Sequence, residues 1–158
     1  MTVMLNQGFF FEDFDLNEEY MTSGRTISRT DVVNFAGVSG DFGEIHLDAE
    51  VGKSHIFGQN IAHGMCVLAI ASGAIARSGL VTQTVAFFGI KDWRFHKPVL
   101  FGDTIRVRAK IAEKKETSKE DRGFVGFSIE VINQKDEVVA SGRWDVLIAR
   151  KGHPVLKY

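Results

Sequence analysis

The chain carries a single cysteine, Cys66, so no internal disulfide can form and no cysteine cluster can hold zinc. Charge of one sign is not in excess either: 19 Lys and Arg stand against 20 Asp and Glu, a net charge of -1. Phosphate-backbone binding needs a basic face, so nucleic acid is excluded as a main partner. The longest apolar run, Met65 to Ala76, is too short to span a bilayer. The N-terminus has Glu12, Asp13 and Asp15 among four phenylalanines and no basic stretch, which argues against a secretory signal. No internal repeat or low-complexity linker is visible. What remains is one cytoplasmic domain over residues 1–158, large enough for a substantial core.

Within it, residues 1–24 read as an irregular N-terminal extension, with Phe9, Phe10, Phe11 and Phe14 as anchors. Arg25 to Arg29 suits a short strand. Thr30 reads as a helix N-cap with Asp31 in the first turn, and Val32, Phe35 and Ala36 give that helix one apolar face ending near Gly37 to Gly40. Asp48 to Lys53 predicts another helical turn.

The clearest helix is Gly64 to Ser78. Its apolar residues, from Met65 through Ala76, cover nearly the whole circumference, as in an enclosed helix, and Gly79 supplies the stop. Afterwards the period becomes two. Ile105, Val107, Ala109 and Ile111 alternate with Arg106, Arg108 and Lys110; Val125 to Val131 and Trp144 to Ile148 repeat the pattern. Gly89 to Val99 predicts a further strand, and Glu113 to Arg122 a solvated hairpin tip. The sum is an α+β protein, an antiparallel sheet wrapped around a long central helix. Open sheet edges favour pairing with a second copy, hence a homodimer or higher homo-oligomer.

Chemistry concentrates in Ser39-Gly40-Asp41-Phe42-Gly43-Glu44-Ile45-His46. A carboxylate and an imidazole lie five residues apart, and Ala62-His63-Gly64 opens the central helix seventeen residues after His46. An acid/base pair beside a helix N-terminus suits proton transfer next to a developing oxyanion. Taken singly, an aspartate after glycine is usually a turn former and a lone histidine usually structural. A metal cluster of His46, His55 and His63 lacks any familiar ligand spacing, and His63 reads as a helix-start residue.

Together, Gly40-Asp41-Phe42-Gly43-Glu44-Ile45-His46-Leu47-Asp48, His63-Gly64-Met65, and Lys97-Pro98-Val99 followed by Gly102-Asp103-Thr104 resemble the motifs of the MaoC-like dehydratases, of the (R)-specific enoyl-CoA hydratase type. Gly43-Glu44 stands where that family has Asn-Pro. The resemblance covers about residues 25 to 150 and implies a hot-dog fold acting on an acyl-CoA thioester, with no metal or redox cofactor. It assigns Asp41 and His46 as the catalytic pair holding a water. It assigns the Gly64 amide and the Ser72 hydroxyl to substrate binding, the latter at the pocket wall. Reversible hydration of a trans-2-enoyl-CoA to an (R)-3-hydroxyacyl-CoA is the leading expectation. A hot-dog acyl-CoA thioesterase is the first alternative, but many such enzymes place a carboxylate on the central helix, and Gly64 to Ser78 has none. A non-catalytic acyl-CoA-binding protein is the second, supported by Gly43-Glu44.

Overall fold

The computed structural model describes residues 8–155. Four long strands, β3 (Thr84–Phe95), β4 (Thr104–Glu116), β5 (Arg122–Ile132) and β6 (Val138–Ala149), form an antiparallel sheet with the short β1 (Glu19–Met21) and β2 (Arg25–Thr26). The order is β1-β4-β5-β6-β3, with β2 also pairing β4. The period-two reading holds in the pairing. Ile111 faces Phe127, Phe127 faces Trp144, and Val107 faces Val131. All five are at most 3% exposed. On the other face Arg106, Arg108 and Lys110 meet Asp136, Glu130 and Glu19 in ion pairs.

Helix α4 (Gly64–Arg77) lies on the apolar face of this sheet and buries Cys66, Val67, Leu68, Ile70, Ala71, Ala74 and Ile75. Burying one such aliphatic side chain stabilises by about 1.5–3 kcal/mol, so this face anchors the fold. The helix is not enclosed on every side, as its composition suggested. Met65, Ala69, Ser72 and Ala76, at helical spacing, form an exposed stripe. The reason is geometric: the strands cover one side of α4 and do not close around the other.

Other boundaries also move. Helix α1 (Arg29–Ser39) is capped by Ser28 rather than Thr30. Asp31, three residues after Ser28, accepts a hydrogen bond from the Ser28 amide through its carboxylate, while the Ser28 hydroxyl accepts from Asp31 N–H. This reciprocal pair is available to Ser28 and not to Thr30. Strand β3 starts five residues earlier than the pattern suggested and stops at Phe95, before Lys97-Pro98. The segment expected to be irregular contains a 3₁₀ turn at Phe11–Asp13 and strand β1, which pairs with β4 from Glu19↔Lys110 to Met21↔Arg108. Phe10, Phe11 and Phe14 are buried and Phe9 packs on the core, as the anchors they were expected to be. Residues 1–7 of that segment lie outside the described residues. The hairpin between β4 and β5 turns at residues 117–121.

Candidate active site

Helix α1 stops where Gly40 adopts a left-handed backbone (φ 76°), a conformation that costs glycine little. The chain then turns through Asp41, whose amide donates to Ser39 Oγ and whose Oδ1 accepts the Gly43 N–H at 3.1 Å. A one-turn helix, α2 (Glu44–Leu47), follows and carries His46; the hydrophobic pattern gave no sign of it. Helix α3 (Ala49–Ser54) comes next, with Asp48 as its cap, matching the turn expected over Asp48 to Lys53.

The segment Asn60 to His63, leading into α4, holds this loop by five hydrogen bonds. Buried Asn60 donates through Nδ2 to the carbonyls of Ile45 (2.9 Å) and Asp48 (2.8 Å). The Ile61 amide donates to Ile45 O at 3.4 Å. His46 Nδ1 bonds Ile61 O at 2.8 Å, and His63 Nε2 bonds Asp41 O at 2.9 Å. A carbonyl oxygen only accepts, so both ring nitrogens must be the protonated ones. In the neutral ring this leaves His46 Nε2 with a free lone pair, the form a general base requires.

Asp41, His46 and His63 each offer a polar side-chain atom, and these lie within 4.8 Å of one another. Asp41 is exposed, His46 half-buried and His63 only 2% exposed. The Cδ2–Nε2 edge of His46 faces the Asp41 carboxylate across Gly43. A Cβ on Gly43 would stand 3.2 Å from Asp41 Oδ1 and 3.3 Å from His46 Cδ2. Three such donors could in principle hold a divalent ion. The rings of His46 and His63, however, lie 3.7 Å apart between centroids and 31° from parallel. His46 Nδ1 and His63 Nε2 are already engaged by carbonyl oxygens, so His46 Nε2 and His63 Nδ1 are the other ring nitrogens of the pair. His55 is not part of the group; its ring meets Phe57 instead.

The Gly64 amide opens α4 directly after His63. Val67 N–H donates to His63 O at 3.1 Å across the first turn, and among the described residues no side chain caps the helix. Its amides and dipole are therefore available to negative charge. A Cβ at Gly64 would come within 2.9 Å of the Phe95 ring, so a side chain there must displace that ring. A cavity of about 350 Å³ adjoins it, lined by Phe57, Ile61, Gly64, Val67, Phe95 and Val99. Ser72 sits elsewhere. Eight residues along α4, or about 12 Å, it is exposed and lines a second apolar cavity of about 280 Å³ with Phe35, Met65, Phe87 and Trp144.

Burial, with the nearby Asp31 charge, pushes the Cys66 thiol up, which keeps it protonated and unsuited to attack on a carbonyl. The sequence reading missed three participants: His63 stacked on His46, Asn60 as the latch, and Phe95 over Gly64. Only His63 had a sequence signal, its place between Ala62 and Gly64.

An antiparallel sheet backing one long helix is a hot-dog architecture, and here an aspartate–histidine pair stands beside that helix's start. Residues 13–131 match the family described as the MaoC like domain, and the chain belongs to it. An Archaeoglobus protein named a monoamine oxidase regulatory protein is 39% identical, with TM-score 0.83 over 91% of this chain and 96% of that one. Protein MaoC of Klebsiella aerogenes is 33% identical over 135 residues, 85% of this chain, which spans only 37% of that protein. The (R)-specific enoyl-CoA hydratase of Rhodospirillum rubrum is 26% identical over 147 residues, covering 90% of this chain and 94% of that enzyme. A Mycobacterium tuberculosis protein described as a double hotdogfold, 19% identical with TM-score 0.84 over 98% of this chain and 48% of that one, shares the fold.

Proposed function

We propose that this protein is a hydro-lyase, adding water to a trans-2-enoyl-CoA to give an (R)-3-hydroxyacyl-CoA, or running the reverse dehydration. The observation that carries the reading is the His46 Nδ1 bond to Ile61 O, which leaves Nε2 free on the edge that faces the Asp41 carboxylate. Asp41 and His46 hold the attacking water, and His46 Nε2 takes one of its protons as the oxygen bonds the β-carbon. The π electrons of the double bond move onto the α-carbon and thioester oxygen. The Gly64 N–H meets that oxyanion, and the proton passes on to the α-carbon, so one water is consumed and none of its atoms is lost. Ser72 serves the same substrate from the second cavity.

Family membership and the Rhodospirillum rubrum relative support this reading. Hydrolysis of the thioester fits less well, because α4 carries no carboxylate. The regulatory name of the Archaeoglobus protein favours a second reading, acyl-CoA binding without turnover. Half-exposed Phe87, Phe88, Ile90 and Phe95 on edge strand β3 support self-association into a homodimer. Among the described residues no helix is long and apolar enough to cross a membrane.

Purified protein given enoyl-CoAs of rising chain length should bleach the conjugated thioester absorbance and yield (R)-product by chiral analysis. Free thiol would instead indicate hydrolysis, and binding without turnover the regulatory reading. Turnover unchanged in Asp41→Asn would end the proposal.

A further inference from the structure

We infer that His63 is a positioning residue that fixes the proton-transfer pair relative to the oxyanion-binding amide. The inference rests on the hydro-lyase reading and extends it to a residue that neither binds the water nor meets the substrate oxygen. Three contacts converge on this one side chain. Its Nε2–H holds the carbonyl of Asp41 at 2.9 Å, which pins the backbone that presents the carboxylate. Its ring lies 3.7 Å from that of His46, limiting how far the base can turn. Its own carbonyl accepts the Val67 amide, and the next residue is Gly64, so the ring is covalently one step from the helix-start N–H.

Burial makes the clamp stiff. His63 is 2% exposed, Phe35 packs against its ring with centroids 5.1 Å apart, and Nδ1 has no hydrogen-bond partner among the described residues. Leaving one buried ring nitrogen unpaired costs free energy, which the contacts of this ring with Asp41, His46 and Phe35 must offset. Alanine keeps the backbone but loses the bond to Asp41 and the packing on His46. Glutamine can still extend an N–H toward Asp41 O.

The test compares His63→Ala and His63→Gln with the wild type. His63→Ala should lose roughly 10–10²-fold in kcat, the scale of a small misplacement of reacting groups. Its KM should stay within about threefold, because ground-state binding is not what the clamp supplies. His63→Gln should recover most of kcat. Equal losses in both variants, or an Ala variant as fast as wild type, would overturn the inference.

Two readouts need no activity, so they separate failure of this inference from failure of the hydratase reading. Hydrogen exchange at the Gly43 and His46 amides should quicken in His63→Ala and not in His63→Gln, while Val107 and Ile129 stay protected; unchanged loop exchange would overturn the clamp. Should the Ala variant not fold, long-range ¹H–¹⁵N spectra of the wild type decide. An Nε2–H tautomer at His63 supports the clamp, and an Nδ1–H tautomer refutes it. Turnover absent from the wild type, with loop exchange behaving as expected, would remove the hydratase assignment and leave the clamp standing.

Discussion

Asn60 Nδ2 reaches two carbonyl oxygens at once, Ile45 O at 2.9 Å and Asp48 O at 2.8 Å, and so fastens both ends of the short helix that carries His46. Asn60→Ala removes both bonds, although Ile45 O keeps the Ile61 amide and Asp48 O keeps the Gly52 amide as donors. A hydrogen bond contributes about 0.5–1.5 kcal/mol net, so losing the pair should lower stability by about 1–3 kcal/mol. Urea unfolding measures it. Turnover should fall more steeply than stability implies, since the folded fraction will carry a loosened His46.

Asp41→Asn and His46→Ala should each cost on the order of 10²–10⁴-fold in kcat. The double variant should be little worse than the poorer single one, because both groups act on one water. Steady-state kinetics on one enoyl-CoA checks this, and strictly multiplicative losses would mean that the two act in separate steps.

Gly64→Ala places a methyl group within 2.9 Å of the Phe95 ring. Phe95 is half-exposed and can swing aside, so the fold should survive at a cost of about 1–3 kcal/mol. Activity should drop, since the displaced ring and the new methyl crowd the amide and its cavity. Adding Phe95→Ala should recover stability; a Gly64→Ala protein with full activity would show that the amide does not meet substrate.

Acid should weaken the protein through Asp31. Burial alone would raise this carboxyl, but hydrogen bonds from the Ser28 amide and hydroxyl, with the Arg25 guanidinium, outweigh it and hold it below the usual aspartate range. A lowered folded pKa means that the unfolded chain binds the proton first. The stabilisation is therefore complete above the unfolded value, about 3.9, and is lost as pH falls through the folded one. Asp145, with no side-chain exposure and bound by Lys91 and Arg143, is lowered for a similar balance of burial against paired charge and adds to the same acid loss. Thermal melts between about pH 5 and pH 2 should show a steeper decline in the wild type than in Asp31→Asn.

The amino-acid order alone determined the strands and the long helix, because Ile105 to Ile111, Val125 to Val131 and Trp144 to Ile148 repeat every second residue and the stretch after Gly64 is apolar throughout. Local periodicity reports which faces are buried, and that suffices for element type. Residue type and spacing also singled out Asp41, His46 and Gly64, the groups on which the hydro-lyase proposal rests. The same local signals missed the single-turn helix around His46, which is too short to show a period, and placed a helix cap two residues late because Ser28 and Thr30 are both eligible until Asp31 selects one.

Only the tertiary structure decided that α4 keeps an exposed stripe, that Gly64 and Ser72 open on different cavities, and that His63 lies against His46. The physical reason is one of range. A repeat along the chain reflects neighbours three or four residues away, whereas the Asp41–His63 and His46–Ile61 bonds join residues 22 and 15 apart. Such bonds exist only once the packing of α4 on the sheet has brought the two segments together.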